Sequence, residues 1–112
     1  LEKQYKDQVM EANLLAASLI PMQIMETCME MLAILSVLAE KGSRMAISDV
    51  GVGVQFIRAS LTGAAMNVFI NTGSMKNRDE AERLNERAQL MIDRGTEAAD
   101  EIYDKILKGL KK

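Results

Sequence analysis

The stretch Lys41–Asn71, KGSRMAISDVGVGVQFIRASLTGAAMNVFIN, constrains this chain more than any other. It reads as a helix that keeps Gly51, Gly53 and Gly63 in its interior beside Ala59, Ala64 and Ala65. Each interior glycine costs roughly 1 kcal/mol of helix stability relative to alanine. A helix that tolerates this is expected to use the missing side chains for a close approach by another element. Ser48 and Asp49 are both good N-cap residues and predict the helix start. Asn67 and Asn71, four apart at its end, share one face. Asn71 is also placed to cap the C-terminus.

Either side of this helix the apolar spacing continues with a helical period. Tyr5, Val9, Ala12, Ala16 and Leu19 predict a first helix from about Glu2 to Ile20, with that stripe inward. Pro21 is expected to break it and to open a second helix to about Glu40. Met22, Met25, Cys28, Leu32, Ile34 and Leu38 leave that second helix little polar surface, so it should be buried on more than one side. Lys41-Gly42 supplies a cation near its negative end and a glycine for a left-handed cap. After a loop over 42–47 comes the glycine-rich helix, then the turn cluster Thr72-Gly73-Ser74. A last helix, about Asn77 to Leu110, carries Leu84, Ala88, Met91, Gly95, Ala98 and Ile102 at alternating spacings of three and four. The expectation is an all-α, antiparallel bundle of about four helices in one domain, part of a larger helical oligomer.

Composition narrows the function classes. Aromatics are 4% and the net charge is −2, with no basic tract, which excludes the usual equipment for nucleic-acid binding. Cys28 is alone, so no internal disulfide forms, and it reads as a small buried apolar residue in an intracellular, cytoplasmic protein. No uninterrupted apolar run reaches the ~20 residues of a membrane span, so no membrane partner is expected. Apolar surface on the second and third helices exceeds what a four-helix bundle covers. At least a homodimer is expected, with Gly53, Ser60 and Gly63 near its interface.

There is no histidine, which removes the serine–histidine triad and histidine metal sites. Acid–base work falls to Asp, Glu, Lys, Tyr or water. Asp49 is the first candidate, because a helix N-terminus favours an ionised carboxylate. The plain alternative is that it, or Ser48, only caps. Asn67 and Asn71 offer amides to a ligand. Asn67 otherwise reads as a satisfied buried polar group and Asn71 as a cap. Asp49 and Asn67 lie about five turns apart, ~27 Å along one face, so they could serve only an elongated ligand or two sites. Arg58 is notable because it interrupts an otherwise apolar helix.

The motif S-D-V-G-V at Ser48–Val52, followed by a small-residue run and N-V-F-I-N at Asn67–Asn71, resembles the second half of the cyclodeaminase family. That family contains formiminotetrahydrofolate cyclodeaminases and methenyltetrahydrofolate cyclohydrolases. Ala16–Glu26, AASLIPMQIME, is similar to the family's A-x-x-x-P entry into a helix. The resemblance runs from about Glu11 to the C-terminus. It implies an enzyme that closes or opens the methenyl bridge of tetrahydrofolate, with the folate as substrate and no metal or redox cofactor. It implies Asp49 as the catalytic residue and Ser48, Arg58, Asn67 and Asn71 as substrate contacts. Arg58, Lys41 and Arg44 are the cations available for a folate's glutamate tail. Phe69 stands where the family usually carries arginine, and the family's P-G-G-G-S segment does not occur in these residues. The chain therefore reads as a fragment, inactive alone. The alternative is a non-catalytic helical oligomerisation module on the same scaffold.

Overall fold

The computed structural model describes residues 1–112, apart from the side chains of residues 44 and 45. It contains three α-helices, α1 (Glu2–Lys41), α2 (Arg44–Thr72) and α3 (Arg78–Leu110). They run antiparallel in chain order and form a rod of 68 × 18 × 17 Å.

Three helices replace the expected four because Pro21 does not end α1 but lies within it. Proline has no N–H to give to the carbonyl four residues back, and its ring crowds that carbonyl. Here the Nδ2 amide of Asn71 on α2 donates to the Ala17 carbonyl at 3.1 Å. A neighbouring helix thus supplies the hydrogen bond that Pro21 cannot. One turn away the hydroxyl of buried Ser18 donates to the Leu14 carbonyl at 2.8 Å. The unbroken α1 is long and apolar enough, by length and composition alone, to cross a membrane. In the structure its Met22, Met25, Cys28 and Leu32 are core residues, and Glu26 pairs with Arg87 of α3.

The helix starts also differ from expectation. Ser43, not Ser48 or Asp49, caps α2, and its hydroxyl accepts from the Ala46 N–H at 3.3 Å. Ser43, Ser48 and Asp49 all have capping side chains, and the two-residue turn selects the earliest. Asn71 lies inside α2 and Gly73 follows the helix in the right-handed region, so Asn71 is no cap. Gly42 has φ −70°, not a left-handed conformation. It is required by a close approach instead, since a Cβ there would lie 2.6 Å from the Leu38 carbonyl oxygen. Asn77 caps α3 by accepting from the Glu80 N–H. The Glu11 carboxylate of α1 accepts from the Lys76 and Asn77 N–H groups and fixes the α2–α3 turn.

Two clusters of buried residues form the core. Met25, Leu61, Val68, Leu84 and Ala88 anchor one. Leu32, Val54, Ala99, Ile102 and Ile106 anchor the other. Gly95 of α3 is buried where a Cβ would collide with Leu61 and reach 2.9 Å from the Met29 sulfur. The close crossing expected of α2 glycines is therefore made by Gly95, while a Cβ at Gly53 or Gly63 would meet nothing within 4 Å. The heptad face of α3 is inward as its spacing predicts. The stripe expected on the first helix is not: Tyr5, Val9, Ala12, Ala16 and Leu19 are all exposed. Leu14, Leu15 and Ser18 turn inward in their place, because α1 must meet two helices along a line fixed by Met22 and Met25.

Candidate functional site

The N-terminal half of α2 packs against the C-terminal turns of α3, with buried Gly51 beside Ile106, where a Cβ would make only ordinary contact at 3.4 Å. Beside this contact an apolar groove of about 550 Å³ opens to the surface. Ser48, Gln55 and Phe56 wall it on α2, and Tyr103 and Leu107 on α3. Ser48 thus sits in the second turn of α2 with its side chain at a groove mouth rather than under a cap. Tyr103 and Phe56 did not emerge from the sequence as site residues. Tyr103 lies next to the inward Ile102, the position from which a residue flanks a helix seam.

Asp49 is one residue further on, about 100° around the helix and off the groove wall. It is exposed, and among the described residues no ion pair or side-chain hydrogen bond engages it. Asn67 is exposed too, not buried as its plain reading supposed. Only its backbone carbonyl is engaged, accepting from Asn71 Nδ2 at 2.8 Å. Asn71 spends its amide hydrogens on the Ala17 and Asn67 carbonyls. Asp49 and Asn67 share the outer edge of α2 near opposite ends, as the spacing requires.

Arg58 points to α3, where its Nε donates to Asp100 at 2.9 Å and its Nη2 at 3.4 Å. The two side chains are 37% and 54% exposed, so this is a solvent-screened clip between helices. Lys41 is exposed at the end of α1, and the side chain of Arg44 lies outside the described residues. The five candidates do not converge: Ser48 faces the groove, Asp49 and Asn67 the outer edge of α2, Arg58 faces α3 and Asn71 faces α1.

Other polar groups are structural. The Thr72 hydroxyl, fully buried, donates to the Asn85 side-chain oxygen at 2.6 Å. Arg78 Nη1 donates to the Thr72 and Met75 carbonyls, tying off the end of α2. Cys28 is buried in the core, and desolvation raises its thiol pKa. Among the described residues no group of three or more His, Cys, Asp or Glu side chains is placed to hold a metal ion.

A family model described as formiminotransferase-cyclodeaminase matches residues 1–90. The match takes in α1, α2 and the N-terminal part of α3 up to residue 90, including the ten residues before Glu11. A methenyltetrahydrofolate cyclohydrolase of Methylorubrum extorquens is 32% identical over 106 residues. That alignment covers 94% of this chain and 50% of the relative. The chain thus spans about half the length of the curated relative it matches.

Proposed function

The chain belongs to the formiminotransferase-cyclodeaminase family, and on that premise we propose that it is the helical half of a folate one-carbon enzyme. The reaction closes the methenyl bridge of tetrahydrofolate with loss of ammonia from a formimino group, or opens that bridge with water. Both routes pass through a tetrahedral carbon between two folate nitrogens, and both need a proton moved near that carbon. The functional unit is a homo-oligomer in the cytoplasm.

The observation that carries this reading is the state of the S-D-x-G-V motif. Ser48 and Asp49 are presented in the second turn of α2, freed of capping by Ser43. Asp49 is exposed and has no partner among the described side chains, so its carboxylate is open to a substrate. Ser48 borders an apolar groove of about 550 Å³, within the range of small-molecule sites. Asn67 keeps its amide for a ring edge. Arg58 and Asn71 act one step back: they hold α2 against α3 and α1, and so set where the motif stands.

The non-catalytic module remains the second reading, favoured by the engagement of Arg58 and Asn71 in helix contacts and by Phe69. Turnover of methenyl- and formiminotetrahydrofolate by the full-length protein decides between them. Asp49→Asn should reduce turnover by about 10²- to 10⁴-fold, the usual contribution of a general acid or base. Its unfolding midpoint should not move, since Asp49 caps nothing. Normal turnover in a stable Asp49→Asn protein removes Asp49 from the mechanism. No turnover of either folate by the unmutated protein leaves the module. The 112 residues alone should be inactive, because half of the relative's length lies outside them.

A further inference from the structure

The groove between α2 and α3 is lined by aromatic side chains from both helices, Phe56 on α2 and Tyr103 on α3. The two stand at nearly one level. Phe56 is five residues beyond Gly51, and Tyr103 is three residues before Ile106, which lies beside Gly51. At 1.5 Å per residue in antiparallel helices, they are within about 3 Å of each other along the axis. The Arg58–Asp100 ion pair holds the same register about one turn further on. Phe56 is 67% exposed, a ring left in water beside an apolar slot.

None of the described residues lining this slot is charged at neutral pH. Ser48, Gln55 and Tyr103 supply its polar side-chain ends. An ion placed there would lose its hydration and meet no counter-charge, which is costly. A flat, uncharged ring with few polar groups of its own suits the slot, and about 550 Å³ is room enough for one.

A folate offers two rings. Its pterin is edged with amide and amine groups, most of which would go without partners against apolar walls. Its p-aminobenzoyl ring is a plain benzene ring between an amine nitrogen and a carbonyl, and loses nothing of that kind. The order of residues along α2 agrees with the order of groups along the substrate. Asp49 lies two turns, ~10 Å, from Phe56 toward the start of α2, and Ala59 lies on the other side of Phe56. The one-carbon bridge joins the amine nitrogen of the benzoyl ring to the pterin. A benzoyl ring at Phe56 with its amine toward Ser48 therefore directs that bridge to the S-D-x-G-V motif.

We propose that Phe56 and Tyr103 form a clamp for the p-aminobenzoyl ring of the folate, amine end toward Ser48 and carbonyl end toward Ala59. The pterin then lies past Ser48, outside the groove, and the glutamate tail leaves beyond Ala59. Aromatic contacts of this kind contribute modestly, so the clamp acts on the affinity and placement of the substrate and not on the proton transfer. The inference rests on the folate reading. It adds to that reading which ring is held, in which direction, and by which residues.

Tyr5→Phe leaves Tyr103 as the chain's one tyrosine, a reporter inside the groove. In that background, with ring-labelled tyrosine, p-aminobenzoylglutamate should move the Tyr103 resonances upfield and saturably. A tetrahydropterin without the benzoyl arm, and glutamate alone, should leave them in place. By calorimetry Tyr103→Leu should weaken binding of p-aminobenzoylglutamate about 3- to 10-fold, whereas Tyr103→Phe should stay near the parent. In the full-length protein Tyr103→Leu should raise KM for the folate by the same factor at unchanged kcat, as loss of uniform binding does. Phe56→Leu, at a well-exposed site, repeats the comparison should Tyr103→Leu lose helicity. A Tyr103 ring that p-aminobenzoylglutamate does not move, or that the tetrahydropterin moves as far, overturns the clamp; turnover by the full-length protein would still support the folate reading. A ring moved by p-aminobenzoylglutamate alone, in a protein that turns over neither folate, supports the clamp and removes the proposed activity.

Discussion

The contact between Pro21 and Asn71 makes a prediction that single mutations cannot. Asn71→Ala deletes the donor to the Ala17 carbonyl and leaves that carbonyl without its hydrogen bond, since Pro21 offers none. A net intramolecular hydrogen bond contributes about 0.5–1.5 kcal/mol, and Ala17 is exposed enough for water to compensate in part. The loss should therefore be near 1 kcal/mol, reduced by the better helix propensity of alanine. Pro21→Ala restores the backbone N–H, so the carbonyl regains its partner within α1. In that background Asn71→Ala should cost less by about 1 kcal/mol. Intrinsic propensity cancels in the double-mutant cycle, and only the coupling remains. Urea denaturation followed by circular dichroism, at one fixed protein concentration, measures all four corners. Independent sites add within ~0.5 kcal/mol, so additivity of the two changes would refute the idea that Asn71 substitutes for the N–H that proline lacks.

Gly95→Ala should destabilise by about 1–3 kcal/mol through overpacking against Leu61 and Met29, whereas Gly53→Ala should be stabilising by about 0.5–1 kcal/mol; thermal melts of the pair check both signs. Ser43→Ala should cost about 1 kcal/mol in the same melts and Ser48→Ala close to nothing, because the first alone caps α2. Burial holds the Cys28 thiol pKa above its ordinary 9.0. Above that pH the unfolded chain releases a proton that the folded chain retains, so stability falls as pH rises. Cys28→Ala should flatten the alkaline limb of a stability–pH curve, after allowance for the tyrosines and lysines.

The all-helical class, the turn near Gly42, the turn at 73–77 and the inward heptad of α3 were legible in the sequence, since each depends on local spacing or on a local cap. What escaped depends on partners distant in the chain. Nothing near Pro21 shows that an amide fifty residues away will satisfy Ala17, so the proline reads as a boundary. Gly63 and Gly95 look alike as letters within helices, and only packing reveals that Leu61 and Met29 crowd the second and nothing crowds the first. The S-D-x-G-V motif was visible as a candidate site, but its residues diverge by a third of a turn, so Ser48 and Asp49 face different surroundings. Arg58 stood out as a charge in an apolar helix, while the Asp100 that holds it lies on another helix and carries no mark of its own.

The connections between the helices bear on how the molecule acquires its shape. Gly42 and Ser43 alone join α1 to α2, and five residues join α2 to α3. Each helix therefore finds its main partner in the next segment of chain, at almost no loop-closure entropy. Such short-range topology places a chain among the fast folders. With so tight a turn the α1–α2 hairpin should close from that turn outward, and the Asn71–Ala17 bond, near the opposite end, should be among the last to form. In the folded protein the same bond should be among the first to open, so local opening, read as amide exchange, should spread from that end toward Gly42.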